Sequence, residues 1–289
     1  MWPEPEVVDF RRYLKRRNLS PHTVRCYLHH LKLFFTLTSE PMLEVTARDV
    51  GLLIEQLQGR GLKAKTINCY LNSLRQLYEF WRQEQDTELV NPVHAKYFLK
   101  QEQPLPSVIA PEALALLLSV VKQPRDRLIF LLMLRSGLRV QEVAGLERRD
   151  CDLLRRRLIV RQAKNRRERI AYLSQDTIEA LQAYLCQRPA TATDQPLLLG
   201  RKGRSKMKGL TVRAIEKLME RYRNQVGLSI HCHQLRHTFA SDLLTAGADL
   251  VVVQDLLGHR QVQTTENYCR VANEKVRADY FRAMERIMS

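Results

Sequence analysis

The sequence at residues 135–142 is Arg-Ser-Gly-Leu-Arg-Val-Gln-Glu, and it marks a corner between two predicted helices. The apolar run Leu128–Leu134 before it predicts a buried helix. Gly137 ends that helix, because glycine tolerates the left-handed conformation found at helix C-termini. Arg139 then begins the next helix, with Glu142 one turn further along its face. On these residues alone, the two side chains form an outward-facing surface ion pair, which is a common and weak feature.

The composition of the whole chain favours a polyanionic partner. Its 289 residues include 47 lysines and arginines against 31 aspartates and glutamates, a formal net charge of +16. Such an excess favours nucleic acid over an anionic membrane. The longest apolar run is far shorter than the roughly 20 residues that span a bilayer, and the amino terminus has no signal-peptide pattern. We therefore expect a soluble, cytoplasmic protein without membrane contact, whose six scattered cysteines are reduced.

The chain divides into two parts that differ in charge and pattern. Residues 1–106 carry a net charge of +3 and the remainder +13. Within residues 1–90, apolar side chains recur at helical spacing, and Ser20-Pro21 supplies a helix cap followed by a proline in the first turn. Residues 91–106 contain prolines and polar side chains without an amphipathic period, as in an exposed linker. The prediction is an N-terminal helical bundle, this linker, and a second domain over residues 107–289.

The second domain is predicted to be helical except for one β-hairpin. Leu158–Val160 and Ile170–Leu173 are short apolar runs with β-branched residues, and a polar, basic stretch separates them. This pattern predicts a hairpin with its loop near Lys164–Arg167. A basic ribbon of this kind would grip a phosphate backbone, but for most of its cations a solvated surface is the simpler interpretation. These cations are Arg155, Arg156, Arg157, Arg161, Lys164, Arg166, Arg167 and Arg169.

A second polar cluster is the pentapeptide His233-Gln234-Leu235-Arg236-His237. A helix places its two histidines and its arginine close together, away from the apolar stripe that contains Leu235. Zinc binding by the two histidines is disfavoured, because the metalloprotease pattern requires a glutamate where Gln234 stands. His237 is expected to be a buried, hydrogen-bonded structural histidine. We therefore predict no metal site here.

Near the carboxyl end, a short helix is predicted over the apolar run Leu250–Leu257. Asp249 is placed to cap its start and Gly258 to end it. His259 follows at the helix exit, and Tyr268 comes nine residues later. On residue type alone Tyr268 is a packing residue, and a phenol with a pKa near 10 is a poor nucleophile at neutral pH unless a base or a positive field assists it.

In this order, these motifs resemble the tyrosine site-specific recombinases, a family that includes the phage integrases and the Xer recombinases. The similarity extends over nearly the whole chain. It covers the Ser136–Glu142 segment, the His233–Arg236 motif, and Leu256-Leu257-Gly258-His259 followed by Tyr268. The hairpin lysine of the family falls on Lys164 when Glu168-Arg169 is aligned. Leu19–Thr23 and the Leu105-Pro106 and Pro111-Glu112 pairs also resemble the openings of the two family domains.

The resemblance implies a role for each candidate site residue, in a reaction that needs no cofactor, metal or ATP. Tyr268 attacks a phosphodiester of duplex DNA and leaves a 3′-phosphotyrosine. The cations hold the non-bridging oxygens, and other side chains move protons. The implied assignments are Arg139 and Arg236 as phosphate ligands, Glu142 as the residue that orients Arg139, Lys164 as general acid, His233 as general base and His259 as hydrogen-bond donor.

The resemblance also implies the architecture and the assembly. It predicts a mainly α-helical, two-domain C-shaped clamp with a mixed α/β catalytic domain, and a homo-tetramer on two duplexes with inverted half-sites, alone or with a related recombinase. An apolar stripe beyond the tyrosine would dock on a neighbouring protomer, or alternatively on its own domain; it comprises Val276, Tyr280, Met284 and Ile287. The short amino terminus favours a simple recombinase of the Xer or transposon-resolution kind.

Three other functions share parts of this pattern. A type IB topoisomerase-like enzyme uses a similar residue set to nick and reseal one strand without exchange. A non-catalytic DNA-binding accessory protein would keep the fold and the charge, although all six reactive positions here carry the required residue types. A metal-dependent nuclease is disfavoured, because the sequence lacks a carboxylate cluster suited to divalent ions.

Overall fold

The structure is a computed structural model that describes residues 4–38, 40–84, 89–101, 108–161, 168–188, 195–200, 208–258 and 269–288. It forms two compact units, Met1–Pro104 and Leu105–Ser289. Most described residues are helical and the strands form one small antiparallel sheet, so the predicted mainly α-helical fold is confirmed. Within the described ranges, no helix is long and apolar enough to cross a membrane.

The first unit is a bundle of four helices, whose inward faces form one apolar core. Ser20 caps α2 as predicted, since its hydroxyl accepts the backbone N–H of Thr23 at 3.0 Å. Thr46 and Asp49 cap α3 reciprocally. The four helices are α1 (Glu4–Arg16), α2 (Pro21–Thr38), α3 (Ala47–Gly59) and α4 (Ala64–Glu84).

The second unit is built around helix α6 (Pro124–Arg135), whose seven residues before Arg135 are all apolar. The predicted buried run Leu128–Leu134 lies in α6 and all seven of its side chains are buried, because α8 and α10 pack against this helix. The helices of this unit are α5 (Pro111–Val120), α6 (Pro124–Arg135), α7 (Val140–Gly145), α8 (Gln175–Cys186), α9 (Val212–Gln225), α10 (Cys232–Thr245), α11 (Leu250–Leu257) and α12 (Cys269–Met288).

The predicted hairpin is confirmed, and a third strand joins it. β2 (Arg157–Arg161) pairs antiparallel with β3 (Glu168–Tyr172), and the two-residue β1 (Cys151–Asp152) pairs with the other edge of β2. Leu158, Val160 and Ala171 are buried. One face of the ribbon therefore belongs to the core, and the predicted loop near Lys164–Arg167 lies outside the described residues.

Helix α12 packs against its own domain. Tyr280 and Met284 are buried in a cluster with side chains of α10, α11 and Tyr172. The Tyr280 hydroxyl lies 2.9 Å from the carbonyl of Arg135 and 3.0 Å from that of Tyr172, and it shares its one proton between these two acceptors. The described members of the apolar stripe, Tyr280, Met284 and Ile287, thus pack against their own domain, which is the alternative that the sequence left open. The side chain of Val276 lies outside the described residues.

Candidate active site

The corner between α6 and α7 has the conformation that its sequence predicts. Gly137 lies in the left-handed region with φ +64°, and a Cβ atom at this position would overlap the ring of Phe239 from α10. The backbone N–H of Leu138 donates to the carbonyl of Leu132, which closes the end of α6. This turn places Arg139 at the start of α7.

Arg139 and Glu142 form the predicted pair, but the carboxylate is not on the surface. The Arg139 backbone N–H donates to Oε2 of Glu142 at 2.7 Å, and Nη1 of Arg139 donates to Oε1 at 3.0 Å. The Glu142 side chain is 7% exposed, whereas that of Arg139 is 35% exposed. The prediction of a weak surface ion pair is therefore wrong for Glu142, because side chains of β3 and α10 cover it.

Arg169 of β3 is one of the groups that cover Glu142. Its Nη2 donates to Oε2 of Glu142 at 2.7 Å, and its Nη1 donates to the carbonyl of Leu256 in α11 at 2.6 Å. The side chain is only 9% exposed, so the interpretation as a solvated surface cation is wrong for this arginine. The sheet register explains why Arg169 faces inward. Arg169 is the cross-strand partner of the buried Val160, and paired residues share a face.

Arg236 of α10 completes the cluster around Glu142. One terminal nitrogen lies 3.7 Å from Oε2 of Glu142 and donates to the carbonyl of Gly137, and the other donates to the carbonyl of Leu257 at 2.5 Å. Arg236 is 3% exposed. The structure therefore brings the two predicted phosphate ligands, Arg139 and Arg236, to one carboxylate. We call Arg139, Glu142, Arg169 and Arg236 the guanidinium cluster.

Burial and charge act against each other in this cluster. Burial alone would raise the pKa of the Glu142 carboxyl, but the Arg169 charge and the hydrogen bonds from Arg139 and Arg169 together hold that pKa below its usual value. Burial, followed by the charges of Arg139 and Arg169, lowers the pKa of Arg236 to about 9. Arg236 therefore stays protonated near neutral pH.

His233 lies on the same helix as Arg236, and its side chain is exposed. Its ring packs edge-on against that of His237, with centroids 4.5 Å apart. His237 is only half-buried, so the prediction of a buried histidine is wrong at this position. Within the described ranges, no three His, Cys, Asp or Glu side chains lie together as metal ligands.

Lys164, His259 and Tyr268 lie outside the described residues, but the segments that flank two of them are described. Asp249 caps α11, because its carboxylate accepts the N–H of Val251 at 2.8 Å. Gly258 ends this helix with φ +62°, as predicted. His259 follows Gly258 in sequence, and Tyr268 precedes the first residue of α12, Cys269.

The guanidinium cluster has the chemistry of an anion-binding site. It contains three guanidinium groups and one carboxylate, so its cations outnumber its anion. Guanidinium is the side-chain group that best matches phosphate oxygens, because its planar fork can donate two parallel hydrogen bonds.

Comparison with known proteins places this arrangement in a family. The chain matches the phage integrase family over residues 108–275, and the N-terminal SAM-like domain of phage integrases over residues 7–85. It is 30% identical to the tyrosine recombinase XerA of Pyrococcus horikoshii over 270 residues, which cover 93% of this chain and 90% of the relative. It is 32% identical to the tyrosine recombinase XerC of Syntrophus aciditrophicus, with 96% of each chain covered.

Solved structures share the fold at lower identity. The Tn1549 transposon integrase, in complex with circular intermediate DNA, superposes with a TM-score of 0.72 at 20% identity, covering 91% of this chain and 94% of the integrase. A lambda integrase dimer bound to a COC′ core site gives 0.71 at 18% identity, with 92% and 97% covered. The family models and the relatives establish that the chain belongs to the phage integrase family and is an Xer-type tyrosine recombinase, and the solved structures share its fold.

Proposed function

We propose that this recombinase cleaves and rejoins duplex DNA through a 3′-phosphotyrosine formed by Tyr268. The observation that carries the proposal is the guanidinium cluster, in which Arg139 and Arg236 meet at the buried carboxylate of Glu142. Cations fixed before the reaction stabilise the charge that develops on the phosphate, without having to reorganise in the transition state.

The proposed cleavage step is a transesterification. The phenolic oxygen of Tyr268 forms a bond to phosphorus while the bond to the 5′-oxygen breaks. His233 accepts the phenolic proton, and Lys164 gives a proton to the departing 5′-oxygen. Arg139 and Arg236 contact the non-bridging oxygens, Glu142 orients Arg139, and His259 donates a hydrogen bond to the phosphate.

Rejoining reverses these steps with a different strand. The 5′-hydroxyl of the partner duplex attacks the phosphotyrosine, which releases Tyr268 and restores a phosphodiester. One ester bond replaces another at each step, so the reaction needs no ATP. The guanidinium groups of Arg139 and Arg236 neutralise the phosphate in place of a metal ion.

The partner in this proposal is duplex DNA, and the assembly is four copies on two duplexes with inverted half-sites. Both solved relatives described above are complexes with DNA. The charge of +13 on residues 107–289 fits a catalytic domain that holds the phosphates. Residues 1–90 form the core-DNA-binding domain in this scheme, and residues 91–106 link it to the catalytic domain.

The test is to trap the covalent intermediate. The purified protein is incubated with sheared genomic DNA from its source, denatured, and recovered with any attached strand, whose end is then sequenced. We expect wild type to capture strands at a defined sequence, and Tyr268→Phe to capture none while retaining affinity for that sequence. Covalent complex with the phenylalanine variant, or none with wild type, would refute the proposal.

A second assay separates this proposal from its rivals. Two duplexes that carry the captured sequence are mixed and examined for recombinant products. Nicking and resealing without exchange would indicate the topoisomerase-like activity, and binding without attachment would indicate an accessory protein.

A further inference from the structure

We propose that Arg169 is a positioning residue of this active site, a role that rests on the proposed function. It joins the carboxylate that orients Arg139 to the end of the helix that leads into His259. It acts through other residues, because both of its terminal nitrogens donate hydrogen bonds to groups of the protein.

The first argument is the geometry of its fork. Nη2 of Arg169 reaches Glu142 in α7 at 2.7 Å, and Nη1 reaches the Leu256 carbonyl in α11 at 2.6 Å. These two elements are separated by more than 100 residues in sequence. One side chain from β3 therefore fixes the distance between the start of α7 and the end of α11.

The second argument concerns the end of α11. The carbonyls of Leu256 and Leu257 are among those that a helix leaves unpaired at its C-terminus. Arg169 donates a hydrogen bond to the Leu256 carbonyl, and Arg236 donates one to the Leu257 carbonyl. Two arginines thus hold consecutive carbonyls directly before Gly258, so they fix the end of α11, which His259 follows in sequence.

The third argument is the charge of the cluster. Glu142 alone would neutralise one of the two proposed phosphate ligands. Arg169 supplies the compensating charge from a position that is 9% exposed, where solvent screens it little. Arg139 and Arg236 then keep their full positive charge for the phosphate.

The fourth argument is that stability alone does not explain this arginine. Its Nε is buried and makes no hydrogen bond within the described part of the chain. An unsatisfied buried donor costs about 1–3 kcal/mol, and well-packed apolar side chains often replace buried ion pairs without loss of stability. The benefit of Arg169 therefore lies in the alignment of its partners.

The test uses Arg169→Gln, which removes the charge, and Arg169→Lys, which keeps the charge but lacks the fork. The probe is a nicked oligonucleotide duplex carrying the sequence captured by wild type. DNA affinity and the single-turnover rate of covalent attachment are measured separately, below the thermal midpoint of each variant. Glu220→Gln is the control for the loss of one charge, since this residue of α9 is exposed and lies outside the guanidinium cluster.

We expect Arg169→Gln to lower the attachment rate by ~100-fold, the scale of a small misplacement of reacting groups, with little change in affinity. Arg169→Lys is expected to recover part of this loss and not all of it. Glu220→Gln should react as wild type does.

Three outcomes would overturn the inference: a wild-type rate in Arg169→Gln, a wild-type rate in Arg169→Lys, or a loss confined to affinity. Should the glutamine variant not fold, the lysine variant decides alone. Failure of wild type to attach would instead refute the proposed function, so the two failures are distinguishable.

Discussion

The ring of Phe239 occupies the space in which a Cβ atom on Gly137 would stand. Gly137 also has φ +64°, which strains any L side chain. We therefore expect Gly137→Ala to lower the free energy of unfolding by about 2–4 kcal/mol, since backbone strain and overpacking act together. Chemical denaturation measures this. Gly145→Ala is the control, because nothing lies within 4 Å of its Cβ position. Equal effects of the two substitutions would contradict the account.

Glu142→Gln should destabilise the second unit, because it leaves Arg139, Arg169 and Arg236 without their counter-charge. The expected loss is about 3 kcal/mol at neutral pH, as for other buried pairs that lose one partner. Denaturant unfolding of the variant and of wild type gives the difference. A loss of only a few tenths of a kcal/mol would show that the carboxylate contributes little.

Wild type and Glu142→Gln should also differ in how their free energy of unfolding depends on pH. The pKa of Glu142 is lower in the folded chain than its ordinary value, so its ionised form favours folding. This stabilisation is fully present above the pKa of the carboxyl in the unfolded chain, which is about 4.3. It is lost as the pH falls through the lower pKa of the folded chain. The gap in stability between wild type and Glu142→Gln should therefore narrow below about pH 4.3. A difference in the free energy of unfolding that stays constant or widens in acid would contradict this prediction.

Arg236→Ala should slow covalent attachment far more than it weakens DNA binding. By analogy with the loss of one oxyanion donor, the expected cost is about 2–4 kcal/mol in the cleavage step. Single-turnover kinetics and gel-shift titrations on the captured sequence separate the two effects. Arg282→Ala, at an exposed position of α12, is the control. A variant that binds more weakly but cleaves normally once bound would exclude a role in the transition state.

Tyr280→Phe removes a buried hydroxyl that lies within hydrogen-bonding distance of two carbonyls, those of Arg135 and Tyr172. Both acceptors then lose this donor, and we expect the free energy of unfolding to fall by about 1–2 kcal/mol. Thermal or urea unfolding is the measurement. An unchanged stability would mean that α12 is held by its apolar contacts alone.

DNA affinity should fall steeply with salt. If the catalytic domain contacts many phosphates, site affinity drops roughly a thousandfold between 50 and 200 mM salt. Titrations of a labelled duplex at several salt concentrations give the slope. A flat response would argue against a backbone-binding surface on residues 107–289.

Local signals in the sequence were sufficient for the elements around the site. The cap at Asp249, the helix end at Gly258 and the left-handed corner at Gly137 follow from the conformational preferences of single residues. The hairpin follows from two short β-branched runs. β1 was missed, because a strand of two residues is too short to show an alternating pattern.

The burial of the site could not be predicted in the same way. Glu142 and Arg139 have the spacing of a surface pair, and only the packing of β3 and α10 over them buries the carboxylate. Arg169 was one of eight basic residues in its segment, and the predicted strand began one residue after it. Its inward direction depends on the register with Val160, which is a property of the folded sheet.

The guanidinium cluster draws its members from residues 139, 142, 169 and 236. A growing polypeptide that has not yet emerged as far as α10 lacks one of its three cations, and a chain whose β3 has not docked lacks another. Assembly of the cluster therefore requires α7, β3 and α10 to be docked together. An incompletely folded copy therefore lacks this anion-binding cluster.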